Sequence, residues 1–592
     1  MTIRNLKKIC ADPLDILVVG GGVHGAAIVY HLAKAGYRTA IVEKDDFCAA
    51  TSANSLKILH GGLRYLQHFN IKRMRHSIAA RREMMQLAPH LVEPQACMMP
   101  LSGRGLRGKQ VMRAALFVND CIGWDRNRGL PAEIRLPGGR IVSKEQCLKV
   151  IPGLSTEGLV GASVWYDALA VNTERMVLEY ILKSLEYGAR AANYAEVTGV
   201  EKEENDVYRV RVRDNLRGKE YQLQARYIVN ASGPWFEDFL YPPSREHNAR
   251  KTKGKQRWAL ALNIVSRKKL FFDYAVALEG RSSYEDKDAI IRRGKRLYFF
   301  VPWRGCTMIG TEYEESATGP DRMQVRRETI QAMVDEVNAI YPSAELAYKD
   351  ISFYHAGLLP MRSGVESGDI QLEKNSTIHE HGDIHFHRIL SVKGVKYTTA
   401  PHIAHELVQY FAKHAPEQRM APPVRSVSAA ETGDVGYPRV NRYAWTKIFR
   451  LQSQAKHENS PKEQKKEQNV VDSLRVNELL EKRYGRRAGH ILVRIQAEQE
   501  RALWIDEPAR LLKAEVRYLL EEEMACTLAD IVFRRTGLGT AENPGLELLT
   551  KLSAFMGDIL NWDEARKAKE VETVLQRYAP LDRRKAEVKS EQ

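Results

Sequence analysis

The sequence predicts an α/β protein: a strand–turn–helix unit interleaved with a mostly β domain, followed by a separate helical C-terminal domain. Three observations carry that reading. Residues 15–36, DILVVGGGVHGAAIVYHLAKAG, run from an apolar strand through a glycine turn into an alanine-rich helix. Residues from about 253 to 389 read as strands broken by one helix, and the chain then returns to strand, turn and helix at 391–411. A charged run, SQAKHENSPKEQKKEQN at 453–469, separates all this from an end that is helical throughout.

The first unit sets the chemistry. Gly20, Gly22 and Gly25 fall at the G-x-G-x-x-G spacing directly after the strand 16–19. Gly20 permits a tight turn, Gly22 lets backbone approach a pyrophosphate, and Gly25 lets the helix pack closely on the strand. The helix N-terminus attracts the negative charge. A second strand, 38–42, ends in Glu43, where a carboxylate accepts hydrogen bonds from a ribose. Together these predict a bound dinucleotide.

Further along, residues 51–69 (TSANSLKILHGGLRYLQHF) are polar, then glycine-rich with a basic residue following. Asn70 is placed to cap a helix that buries Ile71, Met74 and Ile78, presents a strongly basic opposite face and stops before Pro89. Residues 106–124 mix Arg107, Lys109 and Arg113 with Val111, Met112, Leu116, Phe117 and Val118. We expect this helix to pack on its own domain; an interfacial membrane helix is the alternative. The segment 161–200 reads as strand, helix from Asn172 and short strand, with Val177, Tyr180, Ile181 and Leu185 inward. VYRVRVRD at 207–214 alternates as a half-exposed strand, and RYIVNASGPW at 226–235 is a buried strand ending in a small-residue turn. In 391–411, Pro401 suits a first helical turn, and Ala404, Leu407, Val408 and Phe411 form the buried face.

Composition narrows the class. A chain of 592 residues buries a large core and suggests more than one domain. The net charge of +16, from 90 basic and 74 acidic residues, comes with no zinc-finger spacing, RNP motif or basic zipper, so no nucleic-acid partner is expected. Seven cysteines without paired spacing suit a reducing compartment. With no apolar run near the ~18 residues of a membrane span and no secretion signal, a cytoplasmic chain is expected.

The motifs GGGVHGAA, ATSANSLKILHGGLRYLQH, VNASGPW, FVPWRGCTMIGT, SVKGVKYTT and AEVRYLLEEEMACTLADIVFRRTGL, in this order, resemble the FAD-dependent glycerol-3-phosphate dehydrogenases, within the D-amino-acid-oxidase-like flavoproteins. The resemblance implies a Rossmann-type FAD-binding domain in segments of about 14–100, 150–240 and 385–415, with a substrate sheet of about 250–390 inside an oxidoreductase region 1–415. A connecting stretch 416–470 and a helical domain 471–592 follow. Gly20, Gly22, Gly25 and Glu43 would hold pyrophosphate and ribose. Thr51, Ser52, Ser55, Lys57, His60 and Gly62 would run along the ribityl chain and ring, and Gly233 would allow close approach from the other side. The turn from Gly394 through Thr398 to Thr399 would set backbone N–H groups near the flavin. Arg64, Tyr65, Lys396 and Thr399 would hold a phosphorylated small-molecule substrate.

The implied reaction is hydride transfer from a secondary carbinol to flavin N5, with a quinone as final acceptor and contact with the cytoplasmic membrane face; no oligomeric state is assigned. Two positions depart from the family pattern. AGLLPM puts Leu359 where the family has an arginine, and KGKQRW puts Gln256 where it has a histidine. Arg257, Arg362 and His355 lie nearby as replacements, and His355, sharing a strand face with Leu359, is the expected base. Two alternatives follow from these departures: a same-fold enzyme for another hydroxy acid or amine, and a flavin-binding protein without turnover. TIHEHGDIHFHR at 377–388 brings His379, His381, His385 and His387 onto one hairpin; exposed hairpin histidines need no metal, and none is expected.

Overall fold

The computed structural model describes residues 4–103, 108–203, 206–240, 256–283, 295–316, 318–363, 370–381, 387–416, 475–498 and 504–581. The charged run at 453–469 and His385 lie outside them, as does the side chain of Arg64.

One sheet grows from the glycine unit. Its strand Leu14–Val19 pairs in parallel with Thr39–Val42 on one side and with Lys219–Asn230 on the other. Arg190–Ala192 and Ile389–Lys393 extend the parallel set outward, and Thr377–Glu380 closes one edge antiparallel. Leu14–Val19 is buried at every position, as a central parallel strand covered on both faces must be. The helices Val23–Lys34, Thr173–Glu186 and Ala400–His414 cover one face in a single apolar cluster. Their caps follow the sequence: the Asn172 side chain accepts from Arg175 N–H, and Pro401 sits in the first turn of the last.

The second sheet contains five strands from the predicted β region: Trp258–Ser266, Tyr274–Ser283, Lys295–Trp303, Cys306–Glu315 and Ile351–Pro360. The helix Arg327–Ile340 packs on it through Ile330, Met333, Val334 and Val337. One expectation needs correction. Val92–Ser102 and Leu159–Ala170 were assigned with the nucleotide segments, yet they pair with each other and continue this second sheet through Tyr274–Ser283. The chain therefore crosses between sheets more often than its local pattern reveals.

The helix after Asn70 forms as Ile71–Leu87, with the Asn70 side chain accepting from Arg73 N–H. Met74 and Ile78 are buried, but Ile71 is 54 % exposed. The 106–124 segment forms the helix Lys109–Ile122, of which only Leu116 is buried; Val111, Phe117 and Val118 face outward. It packs on its own domain, as expected, against Leu159–Ala170 and Arg140–Val142, but it also leaves an apolar face exposed. No helix among the described residues is long and apolar enough to cross a membrane.

The C-terminal domain is built on Ala488–Glu498, Lys513–Glu522, Leu546–Leu560 and Glu564–Gln576. It is bolted to the rest by buried charge. Arg175 meets the Glu523 carboxylate with both guanidinium arms, at 2.7 and 2.6 Å, and Asp46 accepts from Arg534 and Arg535.

Candidate active site

A cavity of about 1580 Å³ lies between the two sheets, its wall running from the glycine loop to the exposed Lys109–Ile122 helix. It exceeds the ~300–1,000 Å³ of common small-molecule pockets, so a dinucleotide and a second ligand fit together.

At the glycine end the backbone is shaped for a close ligand. Gly20 has φ +107°, and a Cβ there would lie 2.5 Å from the Ala231 carbonyl oxygen. At Gly25 a Cβ would lie 1.9 Å from the Gly20 carbonyl oxygen, so this glycine seats the helix against the turn and stands behind the cavity wall. Gly22 is open toward the cavity, with the Ser52 hydroxyl at 3.1 Å as its near neighbour. Ser52 Oγ accepts from Val23 N–H at 3.0 Å, tying the 51–54 turn to the helix start. Glu43 accepts from the N–H groups of Gly21 (2.6 Å) and Asp45 (2.9 Å). Burial outweighs these two donors and raises its carboxyl to about 7. An enclosed carboxylate still short of stabilising donors is what a ribose diol would complete. This end therefore fits a dinucleotide.

The middle of the wall brings together Thr51, Ser52, Ser55, His60, Gly62, Gly233, Gly394 and Thr398, all expected to line the flavin. Gly233, at φ +59°, has no atom within 4 Å of where a Cβ would stand. Lys57 does not reach the cavity. Its ammonium is wholly buried, donating to Ala53 O, Thr173 Oγ1 and Glu174 Oε1 at 2.7, 2.7 and 2.8 Å, and so props the 51–54 turn from behind.

At the far end the Lys396 ammonium donates to Tyr65 Oη at 2.7 Å and sits 4.7 Å from that ring. The Arg73 guanidinium lies 4.5 Å from the same ring, donating to the Lys374 carbonyl. Two cations on one phenol make a strongly positive corner. His60 stands beside it, 6.2 Å from the Tyr65 ring, and burial, Lys396, Arg81 and Arg73 pull its imidazole down to about 3. It is neutral at ordinary pH and can accept a proton. Arg73 was missed from the sequence, although it belongs to the basic helix face noted there.

Four expected residues stand outside the cavity wall, for geometric reasons. Thr399 lies behind the wall, its hydroxyl bonded to Ser376 Oγ and Lys396 O at 2.9 and 2.7 Å. His355 does share a strand face with Gly357 and Leu359, which line the cavity, but it lies beyond the cavity's end. It is 1 % exposed, paired with Thr540 O at 3.1 Å and flanked by Trp303 and Phe353. Burial and nearby cations hold it neutral under the C-terminal domain, so it is no catalytic base. Arg257 is no replacement either, since its Nε and Nη2 both donate to the Glu315 carboxylate at 2.8 Å, and Arg362 stands outside the wall. Gln256 is a staple: its Nε2 donates to Arg257 O and Met361 O, and its Oε1 accepts from Lys393, each at 2.8 Å. Of the hairpin histidines, His379 meets the Thr377 hydroxyl, His381 meets Ser391 and His387 meets Asp206. They diverge.

Known proteins resemble this chain in sequence and in fold. Residues 15–410 match the family described as FAD dependent oxidoreductase, and residues 447–567 match the C-terminal domain of alpha-glycerophosphate oxidase. A glycerol-3-phosphate dehydrogenase of Synechocystis sp. is 26 % identical over 96 % of this chain and 97 % of its own. The aerobic glycerol-3-phosphate dehydrogenase of Bacillus subtilis is 26 % identical over 96 % of each. A solved glycerol-3-phosphate dehydrogenase from Bacillus halodurans, complexed with FAD, superposes with a TM-score of 0.66 at 21 % identity, covering 98 % of both chains.

Proposed function

This chain belongs to the FAD dependent oxidoreductase family, and from that membership we propose that it oxidises glycerol 3-phosphate, or a closely related phosphorylated secondary alcohol. The observation that carries the substrate class is the Lys396–Tyr65–Arg73 corner in the cavity wall. A phosphate dianion needs multiple charged donors, and Leu359, on the same wall, supplies none. The names of the matched relatives agree with this class.

FAD, when bound, supplies the acceptor for the hydride that leaves the carbinol carbon. The chain's own residues do the rest. Lys396 and Arg73 hold the phosphate, and Tyr65 keeps the two cations apart while offering its hydroxyl. Neutral His60 takes the hydroxyl proton as the carbonyl forms, and the bound dianion offsets the cations that otherwise depress its basicity. Trp165, Phe299 and Leu359 line the same cavity with apolar surface.

A quinone fits as electron acceptor. Phe69, Ile71, Val111 and Val118 combine exposed or partly open apolar surface with positions on the cavity wall, and Lys72, Lys109 and Arg113 lie along the same helices. An apolar mouth beside basic residues suits a lipid-borne acceptor at an anionic membrane face.

Anaerobic glycerol 3-phosphate should bleach the flavin's visible band within seconds. In Lys396→Met the half-saturating concentration should rise about 100-fold, ~2.7 kcal/mol of binding, with little change in saturated rate. In His60→Asn the saturated rate should fall about 10²–10⁴-fold with binding retained. Bleaching by another alcohol or an amine, but not by glycerol 3-phosphate, would establish the second reading, which Leu359 favours.

The same reading assigns Glu43 to the FAD ribose. Ribose hydroxyls donate to the ionised carboxylate, so binding lowers a group that stands at about 7 without them. FAD uptake between pH 5 and 7, roughly the span from the ordinary carboxyl value upward, should release protons, and affinity should rise toward pH 7. Calorimetry in buffers of different ionisation enthalpy reads the proton count. Glu43→Gln should abolish the release; an unchanged release would remove Glu43 from this role.

A further inference from the structure

We propose that His31, Glu83 and His405 form a binding site for one divalent transition-metal ion, zinc by the character of its donors. The ion would clamp three helices on the far side of the glycine-loop helix from its cavity end. The three residues come from three separate stretches of chain. His31 lies in the last turn of Val23–Lys34, Glu83 lies on Ile71–Leu87, and His405 lies on Ala400–His414.

The geometry is convergent. His31 Nε2 is 2.7 Å from Glu83 Oε1, and His405 Nε2 is 2.8 Å from Glu83 Oε2. One carboxylate thus faces an imidazole on each oxygen. The two rings lie 4.3 Å apart, tilted by 53°, and the ligand atoms of all three residues lie within 4.8 Å of one another. Tetrahedral zinc, with bonds of about 2.0–2.2 Å to nitrogen and carboxylate oxygen, spreads its donors by little more than 3 Å. An ion between the rings would replace the two hydrogen bonds, and neither helix backbone need move far.

The chemistry also suits a cation. Two neutral imidazoles and a carboxylate are a common zinc donor set with a fourth position left to water. The Glu83 carboxylate already turns one oxygen toward each imidazole, so its donor atoms face the point where an ion would sit. His31 is buried and Glu83 mostly covered, whereas His405 is 53 % exposed, which leaves an entry path. Lys34 is the nearby opposing charge, and it points to solvent, where screening is strong. One turn away, His76 and His402 stack at 3.8 Å with His402 against Glu406. That second pair lacks a shared carboxylate between the rings, and it serves as the internal control.

The test uses the full, FAD-loaded chain carrying Cys121→Ser, which removes an exposed thiol. The protein is dialysed against chelator, then titrated with Zn(II) and, separately, with Co(II). The expected result is one saturable equivalent per chain, visible tetrahedral Co(II) bands beyond the flavin absorption, and a higher melting temperature with either metal. Glu83→Gln and His405→Ala should each weaken binding at least tenfold and cancel the rise in melting temperature, whereas His402→Ala should change neither. The proposal is overturned by absence of saturable binding, by binding that survives both Glu83→Gln and His405→Ala, or by His402→Ala weakening it equally.

Discussion

Asp46→Ala should lower the stability of the folded chain by about 3–5 kcal/mol, the cost of leaving a buried charge without its partner. Asp46 lies in the loop after the second parallel strand and is fully enclosed. Its carboxylate accepts from both arms of Arg535 at 2.6 and 2.9 Å, from Arg534 Nε at 2.5 Å and from Asn193 Nδ2 at 2.8 Å. Arg535 is itself 1 % exposed, and its other acceptor is the Glu523 carbonyl. Truncation would strand the Arg535 guanidinium at the seam between the nucleotide sheet and the C-terminal domain, while Arg534 would keep Asp530 as its partner. Denaturant titration followed by far-UV circular dichroism and flavin fluorescence should show an earlier midpoint, the flavin signal moving with it.

The pH dependence has a definite sign. Burial pushes the Asp46 carboxyl up, but Arg535 and Arg534 together hold it below its ordinary value. Its contribution is complete above about pH 4, the unfolded carboxyl value, and is lost as pH falls through the folded one. Asp46→Asn, which keeps the size and loses the charge, should flatten that acid limb. An unchanged midpoint in Asp46→Ala would show that the seam does not depend on this cluster.

The same cluster explains what the sequence could and could not reveal. Asp46 and Arg535 are 489 residues apart, and no local periodicity marks either as the other's partner. The glycine loop was legible because its logic is local: strand, turn, helix and acid lie within 30 residues, and each constrains the next. Lys57 and His355 were misplaced for the opposite reason. Both stand in the right strand or turn, but whether a side chain enters the cavity or backs it depends on where the facing element begins. For Lys57 that element is Thr173–Glu186, and for His355 it is the loop at Thr540. The corner built by Tyr65, Arg73 and Lys396 was legible by two-thirds. Tyr65 and Lys396 sit in recognisable turns, whereas Arg73 sits on a helix whose basic face looked like ordinary solvated surface. The sheet exchange of Val92–Ser102 and Leu159–Ala170 is likewise a matter of long-range pairing, which alternation within a strand cannot encode.

Gly25→Ala should yield a folded but nearly colourless protein. The position is inside a helix, where alanine ordinarily adds stability over glycine by about 1 kcal/mol, so local propensity predicts improvement. Packing predicts the reverse, and by more. The added Cβ would lie 1.9 Å from the Gly20 carbonyl oxygen, a backbone atom that cannot rotate away, with Ala231 Cβ at 3.5 Å behind it. Gly20 is itself held in a tight turn at φ +107°, where even an added Cβ would meet the Ala231 carbonyl oxygen at 2.5 Å. The helix start must therefore lift from the turn. Overpacking of this kind costs about 1–3 kcal/mol, and the displacement falls on the N–H groups that would meet the pyrophosphate. A shift spent wholly on cofactor binding would weaken FAD about 10- to 100-fold, ~1.4–2.7 kcal/mol. Gly22→Ala is the informative contrast. Its Cβ meets only Ser52 Oγ, at 3.1 Å, a hydroxyl that can rotate, so this helix cap should survive while its methyl intrudes on the ligand side. The two variants should then separate by melting temperature without added FAD, with Gly25→Ala lower and Gly22→Ala near the parent, although both lose flavin on gel filtration. Full retention of flavin by Gly25→Ala would mean that the close seating of helix on turn is not what builds the cofactor site.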